Sequence, residues 1–146
     1  MYDDQMEVAF AGMKADSGDD RVESFPVGAS GLAFGVVTGT DANDVLVAGA
    51  GTKVRGISVH SHAAGVRDGK YAATECASVM TRGLVWAQAT GTVTEDGPVS
   101  FSAAGVVSDT GTALANAVFR SGKITVSGGD IALVELHNPF AAPAAA

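Results

Sequence analysis

From Leu32 onward the chain is built of short valine-rich runs separated by turn residues. LAFGVV (32–37) stops at TGTDAND, DVLVAG (44–49) at AGTK, and KVRGISVH (53–60) near HAAGVRDGK. YAATECASVMTRGLVWAQA (71–89) reads as two strands, or as one long strand bent at Gly83. PVSFS (98–102), a run over 116–120, KITVS (123–127) and DIALVELH (130–137) complete the set. Eight or nine strands at roughly 8–12-residue spacing predict a sandwich or barrel. The turn chemistry agrees: Asp68-Gly69, Asp96-Gly97-Pro98 and Gly128-Gly129-Asp130 are turn formers. A helix is credible in one place only, around Ala113–Val118.

Two kinds of strand pattern occur. KITVS alternates, with Ile124 and Val126 on one face, and PVSFS does the same with Val99 and Phe101. IALV (131–134) and LVWA (84–87) are apolar on both faces, as in strands central to a layered core or covering a subunit interface. The expected fold is all-β: a single compact β-barrel or jelly-roll-like sandwich of about eight strands over residues 32–137. Trp86 is expected in its core. Residues 1–31 read differently. DSGDD and FPVG break any periodicity there, and Phe10, Phe25, Pro26 and Val27 are awkward in pure disorder. That stretch is expected to be an extended N-terminal arm that orders on a neighbour, with a short strand at Glu7–Phe10. Residues 138–146, HNPFAAPAAA less its histidine, carry no strand pattern and read as a C-terminal tail.

Composition sharpens this. Valine (19) and threonine (11) outnumber leucine (6) and isoleucine (3), a balance that suits pleated surfaces. Glycine, at 19 of 146 residues, is about twice its average usage of roughly 7%. Charged residues make up only 17%, low for a domain that covers its whole surface alone, so a homo-oligomer is expected. The net charge of -7 and pI near 4.7 argue against nucleic acid as partner. Seven acidic residues fall within 1–31. No apolar run approaches the roughly 20 residues that span a bilayer, so no membrane partner, anchor or signal peptide is expected.

Candidate chemistry is sparse. His60 and His62 share a face in a strand, and with His137 or Glu75 such a pair suits zinc or copper. Two surface histidines entering a loop is the plainer reading, and no metal or cofactor is expected. Asp16-Ser17-Gly18-Asp19-Asp20 resembles a fragment of a calcium loop but lacks its spacing and closing glutamate. GAGTKVRG (49–56) lacks phosphate-loop spacing and reads as a hairpin turn. Cys76, the only cysteine, excludes an intrachain disulfide and is expected as a small buried hydrophobe. Arg82 and Arg120, near strand ends, suit salt bridges across an interface or a soluble rim. No G-x-S-x-G elbow occurs and nothing orders a catalytic triad, so no enzyme is expected.

Several segments together resemble a family. They are Leu32–Val37, Ser78–Ala87, Gly91-Thr92-Val93, Gly97–Phe101, Ala117–Arg120 and Ile131–Leu136. In these glycine and valine patterns the chain resembles the capsid cement (decoration, head-stabilising) proteins of tailed bacteriophages. The resemblance implies a β-barrel or jelly-roll-like module on the outer surface of the mature capsid, assembled in the bacterial host cytoplasm. There it would clamp neighbouring major capsid subunits. It implies the major capsid protein as partner and a trimer or a dimer on local symmetry axes, the trimer favoured. Phe10, Phe25, Pro26 and Val27 are the expected contact residues, aromatic anchors among acidic neighbours. The alternative reading is a carbohydrate- or receptor-binding β-module of a phage fibre or adhesin. An enzyme on a small barrel comes third, for want of an acid/base constellation.

Overall fold

The chain is described by a computed structural model over residues 11–60, 70–73, 75–126 and 129–137. Alternating apolar positions and frequent turn residues give twelve strands among the described residues. They are β1 (Lys14–Pro26), β2 (Leu32–Ala33), β3 (Val37–Thr40), β4 (Leu46–Ala48), β5 (Lys53–Ser58) and β6 (Lys70–Tyr71). Then follow β7 (Cys76–Gln88), β8 (Pro98–Phe101), β9 (Val107–Ser108), β10 (Thr112–Phe119), β11 (Ile124–Val126) and β12 (Gly129–His137). Ten of these make one antiparallel sheet in the order β4-β3-β5-β7-β12-β10-β8-β9, with β1 added to β7 and β11 to β12. β2 and β6 form a separate pair. The sheet is not closed into a barrel, so the fold is the sandwich-like form of the all-β expectation.

β7 organises everything else. Its Val79 and Met80 pair with Glu23 and Val22 of β1, and also with Ser58 and Ile57 of β5. Its Leu84 and Val85 pair with Asp16 and Lys14 of β1, and also with Glu135 and Val134 of β12. A strand has two edges, so β1 occupies one, and β5 and β12 lie end to end along the other. The stretch read as an arm therefore pairs, from Lys14 to Pro26, with its own chain's β7. The physical reason is the main chain of β7, whose donors and acceptors on that edge need partners in a buried strand.

One extra residue lets β7 face two cores. Arg21 pairs with Arg82 and Val22 with Met80, so Thr81 is a bulge opposite a single step of β1. Thr81, fully buried, donates its hydroxyl to the Arg21 carbonyl at 3.3 Å. A one-residue slip exchanges the faces of a strand. Met80 before the bulge and Val85 and Ala87 after it accordingly enter the same apolar cluster, although their parity differs. Ala77 and Val79 enter a second cluster on the other face.

The first cluster joins Val37 and Ile57 to Val99, Phe101, Phe119 and Val134, strands from both ends of the sheet order, so the sheet doubles back over its own core. The bond from Val37 N–H to Gly105 C=O (2.8 Å) and the Ala89–Val107 bridge tie the returning strands together. The second cluster holds Val27, Leu32, Phe34, Val36, Leu46 and Tyr71. Each fully buried side chain of this size contributes about 1.5–3 kcal/mol. Gly56 sets the spacing where β5 meets β7: a Cβ there would lie 2.0 Å from the Met80 carbonyl oxygen, and its φ is +153°.

Several local expectations change. Ala113–Val118 lies in strand β10, not a helix: only Leu114 and Ala117 turn inward and Asn116 has φ 55°. Residues 71–89 hold one long strand from Cys76 to Gln88, with Gly83 at φ 125°. Cys76 is exposed, because it starts β7 opposite Pro26 on the side away from Ala77. Trp86 is half-buried: it pairs with Leu133 on the face of β7–β12 that looks away from Val85 and Val134. GAGTKVRG does turn between β4 and β5, through Gly49 and Gly51. The strand expected at Glu7–Phe10, the Asp68-Gly69 turn and the tail at 138–146 lie outside the described residues.

Candidate functional site

Three of the four expected contact residues sit where β1 ends. Phe25 pairs with Ala77 of β7 and packs its half-buried ring against the second cluster. The guanidinium of Arg55 lies 5.2 Å from the centre of that ring, a cation–π distance. Arg55 is in turn held by its Nε, which donates to Thr40 Oγ1 at 3.1 Å. Pro26 is exposed. Val27 is buried at 3%, with its N–H on the Glu75 carbonyl (2.8 Å) and a parallel bridge to Leu46. Val27 is thus a peg that fixes the position of the exposed Pro26. Phe10 lies outside the described residues.

Beyond Val27 a groove runs between residues 28–33 and β4, with Leu32, Val45 and Val47 in its walls and Asp41 at one side. The Asp41 carboxylate accepts the Asn43 N–H at 2.8 Å, so it closes the 41–45 turn. The second cluster beneath is held by buried hydroxyls as well as by apolar contact. Ser58 Oγ donates to the Ala33 carbonyl (2.8 Å) and accepts the Val36 N–H (3.2 Å). Tyr71 Oη donates to the Val59 carbonyl (2.6 Å) and accepts the Ser78 N–H (3.3 Å). Burial pushes the Tyr71 hydroxyl above its ordinary pKa, against the lowering effect of the Ser78 bond.

Charge is arranged along the rims. Arg120 pairs with Glu135 on the next strand and reaches Asp96 at 4.0 Å, while His137 bonds the other oxygen of Glu135. The His137 contact, with Arg120 behind it, holds the Glu135 carboxyl below its usual range despite some desolvation. Asp130 accepts from the Thr125 hydroxyl at 2.7 Å, and Lys123 lies 3.5 Å away. The Thr125 bond is the main cause of its lowered pKa. Arg120 therefore makes its salt bridges within its own chain.

Among the described residues no group of three or more His, Cys, Asp or Glu side chains is placed to hold a metal ion. His60 lies tilted against Phe34, with ring centres 4.7 Å apart, and His62 lies outside the described residues. What the surface offers is an exposed strand end, a shallow groove and ion-paired rims.

Over residues 1–137 the sequence matches the family model described as structural cement protein (E217 gp24/Pam3 gp6). The chain belongs to that family. It is a structural protein associated with phage capsids, a component of the virion, and the family is not a class of enzymes. No curated protein matches the chain. Among solved structures, a chain from the capsid of Myoviridae phage XM1 is similar in fold, with a TM-score of 0.70. That likeness covers 95% of this cement protein and 96% of the other chain at 19% identity. The segments that carried the resemblance in the sequence are Leu32–Val37, the turn at Gly91-Thr92-Val93 and parts of β7, β8, β10 and β12, and they feed both clusters. Arg55 and Tyr71, which hold the site at the end of β1, had no such signal: each draws its role from partners far off in sequence.

Proposed function

We propose that this cement protein binds the outer surface of the mature capsid and clamps neighbouring major capsid subunits. The membership of the family over residues 1–137 carries the reading. The physical mechanism is linkage: a module that binds only the assembled shell stabilises that state by the free energy of its binding. Contact with several subunits at once adds avidity, because each bound site raises the effective concentration at the next. A homotrimer on threefold positions fits this mechanism, and a native mass measurement separates it from a dimer on twofold positions.

The docking residues we propose are Phe25 and Pro26, with Phe10 ahead of them and Val27 as the buried peg behind. The exposed proline presents a stiff apolar surface at low entropy cost, and the half-buried Phe25 ring anchors the strand beside it. The experiment is co-sedimentation of the purified protein with expanded and unexpanded heads that lack it. Saturable binding to expanded heads is the expected result. Binding to neither form overturns the reading. Removing residues 1–10 deletes Phe10, and weaker binding by that variant is the expected result.

A further inference from the structure

Among the described residues β1 is bonded along one edge only. The bond from Val59 N–H to the Ser78 carbonyl (2.9 Å) shows that Ser78 turns its main-chain groups toward β5. Main-chain groups alternate in direction along an antiparallel strand. Ala77 and Val79 therefore turn toward β1, where their partners are Phe25 and Glu23. The N–H and C=O groups of Val22 and Ser24, and the C=O of Pro26, point the other way. Among the described residues no strand pairs with that outer edge. Val22, at 39% exposure, is the one large apolar side chain among them left in the open.

An open edge with an exposed valine is a template for one more strand. Two features limit its length. Pro26 has no N–H to offer and ends the edge on one side. On the other, residues 17–20 bulge between the Asp16–Leu84 and Arg21–Arg82 pairs. What remains is a short receptor centred on Val22 and Ser24.

Charge chooses the occupant. β1 carries Asp16, Asp19, Asp20 and Glu23 against Lys14 and Arg21. Arg21 Nη2 lies 3.2 Å from Glu23 Oε1, so that pair neutralises itself. A second copy would still double the remaining excess of acid on β1 and the net charge of -7, which like charges disfavour. We infer that the outer edge of β1 takes, by strand addition, an extended basic segment of a capsid subunit. This rests on the capsid-binding reading and says which surface performs it.

Amide hydrogen exchange on the full protein, free and bound to expanded heads, tests the inference. In the free protein the Glu23 and Phe25 amides are protected and those of Val22 and Ser24 exchange fast. On the heads, Val22 and Ser24 become protected. Val22→Pro and Ser24→Pro remove outward N–H groups that the fold does not use. Each is expected to keep its Tm and to bind heads about tenfold more weakly. Raised salt weakens wild-type binding. If the wild type binds while the two amides stay open and both variants bind equally well, the edge is not the receptor. Protection that instead rises with protein concentration in the absence of heads assigns the edge to a second copy and overturns the basic segment. No binding by the wild type fails the capsid reading itself.

Discussion

The two apolar clusters that share β7 are built by different means. The first takes Val99, Phe101, Leu114, Ala117, Phe119, Val134 and Leu136 from strands that alternate or nearly so, and among the described residues its side chains are apolar. The second takes Val27, Phe34 and Val36 from the connections around the short β2, and Leu46 and Tyr71 from strands of three and two residues. Only Ala77 and Val79 of β7 bring it a long ladder, and the hydroxyls of Ser58 and Tyr71 satisfy the irregular backbone elsewhere. Regular strands satisfy their own main chain, whereas connections need side chains for it. The docking surface proposed at the end of β1 sits on the second kind of construction.

The largest expected effect comes where both clusters meet. Gly56→Ala drives a Cβ into the Met80 carbonyl, and neither backbone has room to move without breaking the β5–β7 pairing. The loss should exceed about 4 kcal/mol and leave little folded protein in urea or thermal unfolding. Phe119→Ala, in the first cluster, should cost about 3–5 kcal/mol. Leu46→Ala, in the second, should cost about 2–5 kcal/mol. Because β7 belongs to both clusters, each variant should still unfold in a single transition with an unchanged denaturant slope. Two transitions for Leu46→Ala would show that the second cluster melts by itself.

Tyr71→Phe separates the two constructions further. It strips the Val59 carbonyl and the Ser78 N–H of their partner while leaving the ring in place. About 1–3 kcal/mol should be lost by chemical denaturation, an effect with no counterpart among the apolar side chains of the first cluster. Glu135→Gln at the rim should cost under about 1 kcal/mol near neutral pH, as exposed pairs do. Glu135 has a depressed pKa in the folded chain, so its contribution is present above the ordinary glutamate value of about 4.3. That contribution fades as pH falls through that value toward the folded one. The variant's stability should therefore depend less on pH in the acid range than the wild type's.

The same contrast explains what was legible in the chain. Val99 and Phe101, and Val134 and Leu136, show their facing by spacing alone, and with them the all-β class and the family resemblance came into view. The Thr81 bulge left a trace in SVMTRGLV, where the inward parity changes between Met80 and Val85, but only the register with β1 gives it meaning. Lys14–Pro26 was unreadable as a strand because its charges and glycine hide the pattern. Its place is decided by the edge of β7, far away in sequence. Cys76 and Trp86 sit on apolar runs, and their exposure follows from which face each run turns outward.

The clamp itself is tested most directly by heating expanded heads, with and without the protein, and following release of the packaged genome. A clamp raises the release temperature in step with occupancy until the sites are full. Saturated binding that leaves the release temperature unchanged would contradict it.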